Sequence, residues 1–385
     1  MLERLVIVLL ALNAIVLAML LAVELTAGDD AGVAVVVEPV AEPARVESAV
    51  GEEDQASPGQ SGVEAPTDVA SRQSPPPAEH SEVSEPPTGE PSGVLDRPPV
   101  PDRFAPASNE VEPEAKELGA AVVHRLTNYE VGTSLTDVVD TLPPVDAPHR
   151  ESTASEAARV HHPEMWSRGT VEYVQNGGHL AGRISLIIVV RQDLGMEGDA
   201  APVRSETRTM EIRLAQAESG EWALETVAST GGTPVMRPDD LAPLAAAVVD
   251  HDRIDLPDTA VWDIYAGGVN AGLLSMMLDL AERTPFSVAV FGTGHSYNVF
   301  GTDRVSNHSV GQAVDIYQVG SERVIDGHDP TSATRAASDW VVSRRDIKEF
   351  GSPWRFPDAV AHTFTNEVHH DHIHIGVYPA TGESA

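Results

Sequence analysis

The 385-residue sequence predicts an α+β protein carried on an N-terminal stalk. Three observations lead there. An apolar run near the N-terminus is long enough to cross a bilayer. A Pro- and acid-rich stretch behind it has no apolar period. The remaining sequence mixes helical and strand-like patterns instead of repeating either one.

Leu5 to Val23 is a run of 19 apolar residues interrupted only by Asn13, and at about 1.5 Å per residue it spans roughly 28 Å. Arg4 precedes it and acid follows, which orients a single-pass anchor with the C-terminus outside. Leu25-Thr26-Ala27 would serve as a cleavage site if the run were instead a signal. Residues 1–27 are therefore read as transmembrane anchor or signal, and the bulk as extracytoplasmic at the cell membrane. Residues 28–114 hold 15 of the 29 prolines and read as an extended, disordered linker.

The next segment, 115–257, opens with a helical pattern (Leu118, Ala121, Val122, Leu126) and a second helical stretch near Leu135 to Leu142. Strand-like runs follow at Gly169 to Val174 and Gly182 to Gln192, the latter β-branched enough to be buried. Arg208 to Ala215 and Trp222 to Ser229 flank Glu218-Ser219-Gly220, a hairpin signal. Helix followed by a curved antiparallel sheet resembles NTF2-like domains, and that resemblance implies envelope protein partners. Residues 258–385 read as a smaller α+β domain with a short antiparallel sheet. Its expected order is helix (270–283), strand (286–291), polar loop, strand (313–317), helix (334–345) and final strand (373–377).

Composition narrows the function. Against 59 acidic residues stand 25 basic ones, a formal charge of −34, which argues against nucleic acid as a partner because a phosphate backbone demands a basic face. With no cysteine, any metal must be held by His, Asp or Glu.

Eight of the 15 histidines lie in the last domain. Ser306-Asn307-His308-Ser309-Val310-Gly311-Gln312-Ala313-Val314-Asp315 places a turn at Gly311 between His308 and a strand that carries Asp315. In His369-His370-Asp371-His372-Ile373-His374-Ile375, strand alternation points His372 and His374 one way and the two Ile into the core. Two His and one Asp make a zinc shell with a position left for water.

Ser-x-His-x-x-Gly-x-Ala-x-Asp followed by Asp-x-x-His or His-x-His resembles the LAS-type zinc D-Ala-D-Ala peptidases and peptidoglycan hydrolases over roughly residues 260–378. The resemblance implies Zn2+ on His308, Asp315 and His374, and Asp371 as general base with His372 beside it. Alternation would point Asp371 and His372 to different faces unless a bulge intervenes, so their roles could be exchanged. His369 and His370 would be supporting or surface residues. The family's Ser-Gly-Tyr-Arg segment is here Phe291-Gly292-Thr293-Gly294-His295-Ser296, without Arg. Arg304, His295 and Ser306 are the substrate-binding candidates instead. The implied function is a membrane-anchored zinc peptidase acting on peptidoglycan peptides, the alternative a non-catalytic zinc-containing wall-binding or envelope adaptor protein.

Overall fold

Two sheets lie face to face with helices on their outer sides, in a computed structural model that describes residues 97–379. The Leu5–Val23 run and most of the expected linker lie outside the described residues. Among the described residues, no helix is long and apolar enough to cross a membrane.

The first layer consists of α1 (Pro113–Thr127), α2 (Leu135–Asp140) and α3 (Ala147–Ala157). Pro113 and Glu114 suit the first turn of α1, where the amide hydrogens have no intrahelical acceptor. Ser134 and Asp137 form a reciprocal capping box on α2. The second layer is an antiparallel meander of β1 (Met165–Leu180), β2 (Arg183–Met196), β3 (Arg204–Gln216) and β4 (Trp222–Ser229), paired in sequence order. Ile184, Leu186, Ile188 and Val190 of β2 pack under the helices with Leu126 and Val122. The other face of the sheet is buried too, through Tyr173 and Val189 against Ala289, Tyr317 and Ile325. A strand covered on both sides reads as an unbroken apolar run.

The remaining elements form the second half: α4 (Pro243–Val249), β5 (Ile254–Asp255), α5 (Asp258–Tyr265), α6 (Ala271–Ala281), β6 (Phe286–Val290), β7 (Ala313–Val319), β8 (Glu322–Arg323), α7 (Ala333–Val342), β9 (Ile347–Gly351), β10 (His362–Phe364) and β11 (Ile373–Val377). Its sheet runs β10-β9-β11-β7-β6-β5, with β8 on β7. The β5–β6 and β10–β9 pairs at its two edges are parallel, so it is longer and more mixed than the short antiparallel sheet expected. Val314, Ile316, Ile373 and Ile375 turn into a core shared with α4, α6 and α7.

Two expected boundaries move. Ala245, Val248 and Ile254 belong to the C-terminal core, so that half begins before residue 258. The end of the expected linker is a packed strap. Phe104 touches both the helix-side core and the core between the sheets, Pro98 O accepts from Arg168 (2.7 Å), and Asn109 donates to Ile325 O (2.8 Å). A strap held through backbone groups, polar side chains (Asn109, Arg97 on Glu130, Glu110 on Lys116) and one aromatic ring needs no apolar period.

Candidate metal centre

Asp315 and His374 face each other directly across the antiparallel β7–β11 pair, so their side chains start on one face at close range. His308 comes from the 3-10 turn His308–Val310, which Gly311 ends in the left-handed conformation (φ 67, ψ 19). A Cβ there would meet Gly268 O at 2.0 Å, so the turn that returns the chain to β7 requires glycine.

Three atoms converge. His374 Nδ1 lies 2.9 Å from Asp315 Oδ1 and 3.1 Å from His308 Nε2, and His308 Nε2 lies 3.2 Å from Asp315 Oδ1. The far nitrogens settle what these atoms are. His308 Nδ1 is 2.6 Å from Phe291 O, a carbonyl that only accepts, so Nδ1 carries the hydrogen and leaves Nε2 a lone pair. His374 Nε2 donates to Glu349 Oε1 at 3.1 Å, which leaves Nδ1 facing the cluster. Burial would raise the Glu349 pKa, but bonds from His374 and Asn307 outweigh it and bring it down to about 2. Burial likewise opposes charge on His374, yet the Asp315 and Glu349 carboxylates push its pKa up to about 9. Asp315 stays well below the usual carboxylate range despite its burial, because His308 and His372 stand beside it.

Without a metal, the proton on His374 Nδ1 bridges to Asp315 Oδ1; a metal ion that displaced it would meet three lone pairs at these separations. Tetrahedral ligands on metal bonds of about 2.0–2.1 Å sit about 3.3 Å apart, close to what is seen. The cluster fits a metal ion.

His295, His308 and Asp315 also bring ligand atoms within 4.8 Å of one another and could hold a metal. The His295 ring, however, stacks on His308 at 4.2 Å and 18°. An ion in the plane of His308 therefore lies off the plane of His295, where its lone pairs cannot reach. We take His374 as the third ligand and His295 as a wall, held neutral by its burial and by the neighbouring His308.

Asp371 and His372 touch in spite of strand alternation. Asp371 precedes β11 with φ −112 and ψ −2, and this kink turns its Oδ1 to His372 Nδ1 at 2.7 Å. Asp371 Oδ2 receives Lys116 Nζ and the amide of Asn176 (2.9 Å). Burial would raise the Asp371 pKa, but Lys116 and His372 hold it below the usual range. With both oxygens engaged, the carboxylate does not open on the cavity, whereas His372 lines it and sets Nε2 3.7 Å from Asp315 Oδ2.

The cavity holds about 590 Å³ and lies between the two halves. Asn176, Gly177, Gly178 and His179 of β1 form one wall, and His295, Phe300, Glu349, Phe364 and His369 line the rest. His369 lies on the cavity against Phe364 (4.7 Å), and Gly351 makes room for its ring, since a Cβ would meet it at 2.5 Å. His370 packs instead on His328. Arg304 is exposed at the mouth, and its guanidinium has no ion-pair partner among the described residues. Ser306 is buried, and its hydroxyl accepts from His308 N (3.3 Å), so it braces the turn.

The sequence reading missed Glu349, Gln175 and Lys116. Gln175 of β1 donates to Asp315 Oδ2 at 2.7 Å. No family model, no curated protein and no solved structure matches the chain.

Proposed function

We propose that the chain is a zinc-dependent peptidase of peptidoglycan stem peptides or cross-links, held at the cell membrane by its Leu5–Val23 run. The convergence of His308 Nε2, Asp315 Oδ1 and His374 Nδ1, each imidazole tied at its far nitrogen, carries the reading. Zinc suits two imidazoles and one carboxylate in a tetrahedral shell with an open fourth position. When bound there it polarises an amide carbonyl and lowers the pKa of water to about 7.

The chain's own residues divide the remaining work. His372 Nε2 takes the proton of the attacking water, and Asp371 holds the ring with that nitrogen unprotonated. This exchanges the roles the resemblance implies for the two residues, because the oxygens of Asp371 are already engaged. The cavity has the volume of a small-ligand or short-peptide site. Arg304 at its mouth suits a substrate carboxylate. Ser306, bracing His308, is left out of the substrate contacts. The peptidoglycan substrate rests on the motif resemblance.

Full-length protein incubated with cell-wall sacculi tests this. Release of peptides that EDTA stops and zinc restores is the expected result. Zinc bound at one per chain without release from sacculi or muropeptides would overturn the peptidase and leave a wall-binding module.

A further inference from the structure

The central layer supplies none of the three ligand atoms, yet it reaches the centre at several points. Gln175 Nε2 takes Asp315 Oδ2, Lys116 Nζ and the Asn176 amide take Asp371 Oδ2, and Tyr173 donates its hydroxyl to Asp371 O at 3.1 Å. We propose that this layer completes the metal centre, with Gln175 a positioning residue for Asp315 and Lys116 one for the Asp371–His372 pair. The Lys116 half rests on the peptidase reading; the Gln175 half does not.

Each bond selects an oxygen. An aspartate offers a metal either of two. With Gln175 on Oδ2, Oδ1 is the one that meets His308 and His374. Lys116 and Asn176 do the same for Asp371, leaving Oδ1 to hold His372 Nδ1. The amide of Asn176 is available because β1 is an edge strand whose register shifts between Asn176 and Gly178, and such bulges release ladder groups.

Holding the halves together does not require these residues. Gln175 is fully buried between the sheets, and its Oε1 has no hydrogen-bond partner, a cost an apolar residue would avoid. Lys116 is one of only two lysines in the chain and is wholly buried between Glu110 and Asp371. Buried ion triads are often matched in stability by apolar side chains. What an apolar residue cannot do is direct a carboxylate.

Gln175→Met in the full-length protein keeps the length and removes the donor. Zinc affinity, measured by competition with a chromophoric chelator, is expected to fall about 10- to 100-fold, while the melting temperature of the metal-free protein shifts little. An affinity within about twofold of the parent's overturns the Gln175 assignment. Should Gln175→Met not fold, Gln175→Asn, with its amide drawn back by one methylene, carries the same test. The double variant Lys116→Met/Glu110→Gln removes two charges together and leaves Asp371 without its cation. It is expected to lower kcat on muropeptides at least about tenfold with KM and zinc affinity little changed; an unchanged kcat, or a loss lying wholly in KM, overturns the Lys116 assignment. If the parent binds zinc and cuts nothing, the peptidase reading and the Lys116 half fall together, and the Gln175 arm still decides the rest.

Discussion

The two faces of the central sheet come from the same four strands and are built differently. Toward α1–α3, β2 and β3 present Ile184, Leu186, Ile188, Val190, Met210, Ile212 and Leu214, a continuous apolar layer. Toward the C-terminal half, β1 to β3 present Tyr173, Gln175, Ser185, Thr209 and Glu211 among a few apolar residues, and each of these side chains makes a hydrogen bond, with Gln175 Oε1 alone among their buried polar atoms left unpartnered. The Thr209 hydroxyl donates to Ala289 O (2.6 Å). Glu211 holds Ser296, whose carbonyl receives His295 Nδ1. Stability is concentrated on the first face, where burial is unopposed by polar desolvation. The second face trades some of that for direction, because hydrogen bonds fix where a side chain points and apolar contacts do not.

The largest effects belong to the residues that the second face holds in place. Asp315→Ala removes a ligand and should leave about a tenth or less of the bound metal after dialysis, with peptide release from sacculi at background; metal content by plasma emission reads the first. His372→Ala comes next. Loss of a general base lowers kcat by about 10²–10⁴-fold, and metal content should stay at one per chain. Comparing Asp371→Asn with His372→Ala separates the two readings of the pair. If Asp371 positions His372, the Asn variant still leaves His372 Nε2 at the cavity and loses no more turnover than His372→Ala. A kcat loss in Asp371→Asn well beyond that of His372→Ala would instead favour Asp371 as the base.

How much of this the sequence discloses depends on distance along the chain. His308 and Asp315 lie seven residues apart, so one glycine turn and strand alternation were enough to bring them together. His374 was legible from the Ile-His-Ile alternation of β11. Glu349 was not, because Arg344-Arg345-Asp346 looks like the polar end of α7 and hides the short β9 behind it. Gln175 and Lys116 stand 140 and 255 residues from the carboxylates they hold, and no local period encodes such a pairing. The relation of Asp371 to His372 turned on one kinked residue, which alternation cannot anticipate. The strap 97–112 reads as linker for a related reason, since its anchors are backbone carbonyls, scattered polar side chains and a single ring, none of them periodic.

Two milder substitutions compare the faces directly. Leu186→Ala cuts a side chain that is wholly buried under the helices, and such truncations cost about 2–5 kcal/mol. Urea unfolding of the metal-free protein should register that loss, while zinc affinity of the folded molecule stays at the parent value. Thr209→Val is smaller. It leaves Ala289 O without its donor and Thr259 without the hydroxyl it reaches at 3.1 Å, for about 1–3 kcal/mol. Ala289 stands two residues before Phe291, whose carbonyl fixes the His308 tautomer, so this variant should also weaken zinc binding by a few-fold. The ratio of the two readouts is the point. If Leu186→Ala weakened zinc as much as Thr209→Val for each kcal/mol of stability lost, the faces would share one role and the centre would depend only on how well the protein is folded. A metal effect confined to Thr209→Val would mean that the polar face aims the ligands, whatever the apolar face contributes to folding.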